Sequence, residues 1–193
     1  MIKVQPAGIY DVTVIRGGAP DAVMDWLSAA GFHFEDSDKA TFVDYVARGW
    51  CFVAAKVRAG AENQTVEGLA DPLVLTFATD KPIYPLALTA TAGAKTKILP
   101  YTVSDTKLTC RKRLKLRYAA PIEGQAASGL FSVRVTGPDE SERPRYEPLM
   151  DIPDTTLTLC KFKGTMSAAQ MARDLEFEPA ADNKPYKGHE FIW

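Results

Sequence analysis

The sequence predicts an α+β fold: one or more antiparallel β-sheets, two N-terminal helices packed on the sheet, and a short C-terminal helix. Three observations carry this. The apolar residues of the first sixty positions recur at helical spacing in two stretches, flanked by strand-like runs. From Pro72 onward the period changes to two, with turn residues between short runs. A single Ser-x-x-Gln signal, Ser167-Ala168-Ala169-Gln170, then opens a late helix.

In chain order, Ile9–Ile15 reads as the first strand, with Tyr10, Val12 and Val14 on one face. Gly17-Gly18 ends it. A helix follows from Pro20, whose missing N–H suits a first helical turn. It carries Val23, Trp26, Leu27 and Ala30 at helical spacing, and Gly31 is its C-terminal cap. Ser37 or Asp38 caps a second helix through Phe42, Val43 and Val46, which ends at Gly49. Trp50–Val57 is apolar throughout and predicts a largely buried strand.

The β-rich part comprises Pro72–Ala78, with Leu73, Leu75 and Phe77 on one side, then Ile83–Ala92 and Lys95–Val103 joined at Ala92-Gly93-Ala94. Lys107–Cys110, Arg111–Ala119 and Leu130–Thr136 follow. Residues 137–156, with Pro138, Pro144, Pro148 and Pro153, read as a surface excursion. Leu157–Phe162 returns to strand. The late helix runs to about Arg173, Leu175–Phe177 forms a last strand, and a polar tail begins at Asp182. The expected core is Tyr10, Val12, Val14, Trp26, Leu27, Val43, Val46, Trp50, Phe52, Leu73, Leu75, Phe77, Leu86, Leu88, Ile98, Val103, Leu157 and Leu159. At 193 residues the chain suits a single domain spanning 1–193. Its parts are a strand-helix-helix-strand unit at 9–58, a β-rich part at 72–136, a strand-helix-strand return at 157–180 and a tail at 181–193.

Lys plus Arg number 23 and Asp plus Glu 24, for a net charge of −1. Such balance argues against a nucleic-acid partner, which calls for a basic excess. No apolar run approaches the roughly 18 residues of a membrane span. The opening Met1–Pro6 lacks the apolar core of a signal peptide and reads as the start of a segment from a longer precursor.

The sharpest local feature is basic. Strand alternation through Arg111–Tyr118 puts Arg111, Arg113, Lys115 and Arg117 on one face, a ridge of about 20 Å suited to phosphates, acidic glycans or lipid headgroups. The competing reading is a solvated face or a charge-protected edge, with Asp139, Glu140 and Glu142 as its cover.

Other candidates have simpler explanations. Cys51 and His33 form an imaginable thiol–imidazole pair, but a cysteine in an apolar strand is ordinarily inert and buried. His33, just past a helix end, suits carbonyl capping. Asp36 and Asp38 lack the ligand order and glycine of a calcium loop and suit a helix N-terminus. Cys51, Cys110 and Cys160 have no zinc spacing, and the sequence does not say whether any two pair. Asn63-Gln64-Thr65 matches a glycosylation sequon but belongs to a polar loop. Thr79-Asp80-Lys81-Pro82-Ile83-Tyr84 shares its residues with the opening motif of the thiol-ester macroglobulins. It continues Pro85-Leu86, however, and the chain has no thiol-ester Cys/Gln motif, so it reads as a turn. No catalytic residue, cofactor or metal is expected.

Several blocks together resemble one family. They are Tyr10-Asp11-Val12 leading to Asp25-Trp26-Leu27 and Gly31; Asp44-Tyr45-Val46 with Arg48-Gly49-Trp50 and Phe52-Val53-Ala54; and Pro72-Leu73, Phe77, Asp80 and Tyr84-Pro85-Leu86. Gly164-Thr165-Met166-Ser167 with Met171, Asp174-Leu175 and Phe177 completes the pattern. It resembles the bacterial domain-of-unknown-function family 2330 over about residues 9–180. The resemblance implies an exported protein, typically made with a signal peptide and sometimes a C-terminal anchor, and hence an extracytoplasmic location. It implies no activity and no catalytic residues. The expected function is a non-enzymatic extracytoplasmic binding or scaffolding domain with a protein or anionic surface as partner. The alternative is a cryptic hydrolase completed by a missing N-terminal region.

Overall fold

The computed structural model describes residues 3–5, 10–16, 18–58, 73–92, 95–110, 113–130, 132–135, 145–148 and 152–188. The chain divides into two compact units, Met1–Ala78 with Leu86–Gly93, and Thr79–Pro85 with Ala94–Trp193.

The first unit contains β1 (Lys3–Gln5), β2 (Tyr10–Arg16), α1 (Pro20–Ala29), α2 (Lys39–Ala47), β3 (Cys51–Val57) and β4 (Val74–Thr76). β2 and β3 pair antiparallel from Tyr10↔Val57 to Arg16↔Cys51, and β1 pairs antiparallel with β4. The helices lie between β2 and β3 in sequence, and their apolar stripes share one core with that strand pair. Val23 and Leu27 of α1, Phe42 and Tyr45 of α2, and Phe52 and Ala54 of β3 are buried there, with Ile15, Val46 and Trp50 packed against them. Each fully buried large side chain contributes about 1.5–3 kcal/mol. The aromatic members touch: Phe42 lies 5.5 Å from Phe34 and 5.3 Å from Phe52, centroid to centroid.

Both helices stop by the same device. Gly31 N–H donates to the Ser28 carbonyl and Phe32 N–H to that of Leu27; Gly49 N–H donates to Val46 and Trp50 N–H to Tyr45, all at 2.9 Å. Gly31 and Gly49 have φ of +78° and +71°, the left-handed conformation this paired closure needs. The residue after each glycine is apolar, and Trp50 stacks on Tyr45 with centroids 4.9 Å apart. Arg48 lies over both rings, at 4.8 and 4.3 Å. At the start of α2, a 3-10 turn spans Asp36–Asp38, and Glu35 N–H donates to the Asp38 carboxylate at 2.9 Å.

The second unit contains β5 (Ile83–Tyr84), β6 (Thr96–Ile98), β7 (Tyr101–Ser104), β8 (Leu108–Thr109), β9 (Lys115–Glu123), α3 (Gly124–Leu130), β10 (Ser132–Val135), β11 (Arg145–Pro148), β12 (Thr156–Met166), α4 (Ala168–Met171), β13 (Leu175–Glu176), β14 (Glu178–Pro179) and β15 (Tyr186–Lys187). Its centre is β12. One edge of β12 pairs with β9; the other pairs with β7 and then β6, and β15 joins the outer edge of β9. All these pairings are antiparallel. Short pairs β5–β13, β8–β14 and β10–β11 complete the unit. The inner face of β12 carries Cys160, Phe162 and Met166, all buried, with Phe177 5.2 Å from Phe162. Gly164 lies on that face too, with Leu114 Cδ2 packed 2.6 Å from where a Cβ would stand. The Ser167–Gln170 capping box opens α4, with Ser167 N–H donating to Gln170 Oε1 at 2.9 Å.

Several expectations are corrected. Val14, Trp26, Val43, Leu73, Leu75 and Phe77 are exposed, not core. On α1 the buried pair is Val23–Leu27, so Trp26, about 100° around the helix from Leu27, is 39% exposed. On α2 the stripe is Phe42–Tyr45, which leaves Val43 outside. Tyr10 and Val12 pack with Ala55 on the side of the strand pair opposite Phe52 and Ala54, and Val14 lies at the exposed end of that row. β3 alternates instead of being buried on both faces, so Cys51 is only half-buried.

Ile83–Ala92 is a two-residue strand followed by a 3-10 helix over Ala87–Ala92. Lys95–Val103 is two strands, interrupted at Leu99-Pro100, where the Pro100 carbonyl still accepts Phe162 N–H at 3.0 Å. α3 is an element absent from the sequence reading, and Leu130, expected to begin a strand, ends this helix. A Cβ at Gly124 would lie 1.7 Å from the Pro153 carbonyl oxygen, so glycine is required there for packing. Within the Pro-rich segment Arg145–Pro148 forms a strand; Pro138 and Pro144 lie outside the described residues. The tail contributes β15.

Candidate functional site

Of the four basic residues expected to form a ridge, Arg111 lies outside the described residues. The other three do not share a face. The strand begins at Lys115, not Arg111. Arg113 precedes it in a turn, and its guanidinium donates to the carbonyls of Gln170, Arg173 (2.8 Å) and Asp174 (2.5 Å). It thus satisfies acceptors around the end of α4. Arg117 is the extra residue of a β-bulge: Phe162 pairs with Leu116 and Lys161 with Tyr118, leaving Arg117 unmatched. Its Nε is buried without a hydrogen-bond partner. Only Lys115 projects from the strand as expected.

The bulge has a second effect. It moves Tyr118 from the inner face, where simple alternation with Leu114 and Leu116 would put it, to the outer face. Ala119, opposite Cys160, becomes the buried residue instead. Directly paired residues share a face of a sheet, so the registers define one continuous row across four strands: Lys187 on β15, Tyr118 on β9, Lys161 on β12 and Tyr101 on β7. Two residues along β12, Lys163 pairs with Lys115; two further, Thr165 pairs with Lys97 of β6. This outer face therefore carries five lysines and two tyrosines. Lys97, Lys115, Lys163, Lys187, Tyr101 and Tyr118 are exposed and Lys161 is half-buried. No Asp or Glu occupies a described strand position on this face.

The lysine that closes the row is positioned by a buried one. Lys107, 8% exposed, donates from Nζ to the Asp182 carboxylate at 2.5 Å and to the Lys184 carbonyl at 3.0 Å. Its backbone N–H donates to Asn183 Oδ1 at 2.9 Å, and its carbonyl accepts Ala180 N–H. The Lys107 ammonium, helped by Lys184 N–H, holds the Asp182 carboxyl below the usual carboxylate range. This clamp folds residues 180–184 into a turn and delivers Tyr186–Lys187 to the free edge of β9.

The remaining candidates stay apart from this face. His33 is exposed. Cys51, Cys110 and Cys160 are all free thiols, and burial pushes the Cys110 thiol up despite nearby Arg113 and a hydrogen bond from the Leu114 backbone. Asp36 and Asp38 serve the start of α2. Thr79 forms a turn, its hydroxyl donating to the Lys81 carbonyl at 2.7 Å. Asn63-Gln64-Thr65 lies outside the described residues. Among the described residues no three His, Cys, Asp or Glu side chains gather to hold a metal, and no helix is long and apolar enough to cross a membrane.

Sequence reading missed Lys97, Lys161, Lys163, Lys187, Tyr101 and Tyr118 as members of one surface. The signal was present in fragments: Lys161-Phe162-Lys163 and Lys115-Leu116 alternate charge with apolar residues. What joins them is register between distant strands, which no local pattern encodes.

Neither the curated proteins nor the solved structures give a significant match to the chain. The model of one family does, over residues 2–177, and the chain accordingly belongs to DUF2330, described as uncharacterized protein conserved in bacteria.

Proposed function

We propose that this domain is a non-enzymatic, extracytoplasmic binding module, and that it engages its partner through the outer face of the five-stranded sheet. The observation that carries this reading is the row Lys187–Tyr118–Lys161–Tyr101 with Lys97, Lys115 and Lys163 beside it. The exposed lysines Lys97, Lys115, Lys163 and Lys187, with no Asp or Glu at the described strand positions of the face, repel one another, and an anionic partner removes that penalty. Tyrosines among them supply flat, amphipathic contact area at little cost in side-chain entropy. The extracytoplasmic placement rests on the family resemblance drawn from the sequence.

The test is retention of the chain on bacterial envelope fractions washed with rising salt, beside a variant carrying Lys97→Glu, Lys161→Glu and Lys163→Glu. Retention of the parent chain alone supports the reading. Equal retention of both, or of neither, refutes it. Fractionation of cells producing the natural protein tests its placement, and recovery with the cytoplasmic contents removes that part of the proposal.

A further inference from the structure

The lysine–tyrosine face has an internal geometry that selects among anions; the inference from it rests on the binding-module reading above. Its charges are not strung along one line. From Lys187 on β15 to Lys97 on β6 the face spans three strand spacings, roughly 15 Å. Along β12 it extends from the Lys161 row to the Thr165–Lys97 row, four residues or about 13 Å. Four exposed cations, Lys97, Lys115, Lys163 and Lys187, with half-buried Lys161 among them, thus occupy an area about as long as it is wide. A linear polyanion follows a stripe and meets only part of such an array, whereas a plane of headgroups meets all of it.

The chemistry of the cations points the same way. All five are lysines, point charges on flexible stems, suited to a diffuse field and not to the bidentate capture of a fixed phosphate at which arginine excels. The two arginines nearest in the chain are excluded from the array: Arg113 is occupied by carbonyls and Arg117 lies in the bulge with Nε buried. Tyr118 and Tyr101 flank Lys161, and tyrosine is the side chain that sits at headgroup level, ring toward the acyl boundary and hydroxyl in water. We propose that this face lies flat on the anionic surface of a lipid bilayer, with its lysines among the headgroups and Tyr101 and Tyr118 as shallow interfacial anchors.

Co-sedimentation tests this, with vesicles of phosphatidylcholine alone and of phosphatidylcholine mixed with phosphatidylglycerol. The chain is expected to bind only the mixed vesicles, and less as salt rises. Lys97→Ala, Lys115→Ala and Lys163→Ala should each weaken partitioning about fivefold and together about a hundredfold. Lys39→Ala, in the other unit, should leave it unchanged. Circular dichroism checks that each variant is folded. Parallel arms offer a soluble polyuronate and single-stranded DNA. Binding to either soluble polymer but not to mixed vesicles overturns the lipid assignment and keeps the binding module. Vesicle binding indifferent to the lysine substitutions overturns the assignment to this face. Binding to none of the three overturns both readings.

Discussion

The helix-covered strand pair of the first unit and the five-stranded sheet of the second both bury aromatic and aliphatic side chains, by different routes. In the first, the helices are set by their immediate neighbours: Gly31 and Gly49 close them, and Val23–Leu27 and Phe42–Tyr45 define their faces. In the second, β12 is organised by partners far away in sequence, from Thr96 to Glu123, and a bulge at Arg117 decides which side chains point out. A surface assembled by long-range register is hard to foresee, and it is the one that gathers the lysines.

Substitutions can sharpen this contrast. Thiol reactivity should separate the sites most widely. Cys160 and Cys110 are buried, and Cys110 is further held as a thiol, so their alkylation should wait on opening of the sheet, roughly a thousandfold slower than in denatured protein. Half-buried Cys51 should react first, as mass spectrometry of partly alkylated chain will show. Next comes Phe162→Ala, which empties the inner face of β12 where the side chain is 1% exposed. It should cost about 3–5 kcal/mol in chemical denaturation and strip hydrogen-exchange protection from β7, β9 and β12 together. Gly31→Ala and Gly49→Ala should each cost about 1–2 kcal/mol, since alanine resists the left-handed conformation.

The smallest effect concerns the tail. Because Asp182 is lowered in the folded chain, its contribution is present above the ordinary carboxylate range and is lost as pH falls through the lowered value. Exchange protection of β15 should therefore fall below about pH 4, where a free Asp carboxyl takes up its proton, and Asp182→Asn should lower it already at neutral pH.

The α+β class, the helix ends and the late capping box were legible because each is written in adjacent residues. Tyr10, Leu27, Phe52, Leu86, Ile98 and Leu157 are buried as expected. The misplaced residues share one cause. Trp26 and Val43 are apolar residues one step off a helical stripe, and hydrophobicity alone cannot choose between neighbours. Leu73, Leu75 and Phe77 have the right period, but the strand there covers just Val74–Thr76, paired with β1 among the described residues, and all three side chains are exposed. For the basic segment the residue types were readable and their directions were not. Arg113 was drawn to carbonyls some sixty residues away, and the bulge reversed Tyr118. The clamp of Lys107 on Asp182 is equally distant in sequence and left only the turn-forming pair Asp182-Asn183 as a trace.

The lysine–tyrosine face is most directly tested by residue-resolved NMR of the chain with bilayer discs of mixed lipid carrying a paramagnetic headgroup. Line broadening centred on Lys97, Tyr101, Lys115, Tyr118 and Lys163 is the expected result. Broadening centred instead on Trp26, Val43 or Leu75, or none anywhere at low salt, would contradict it.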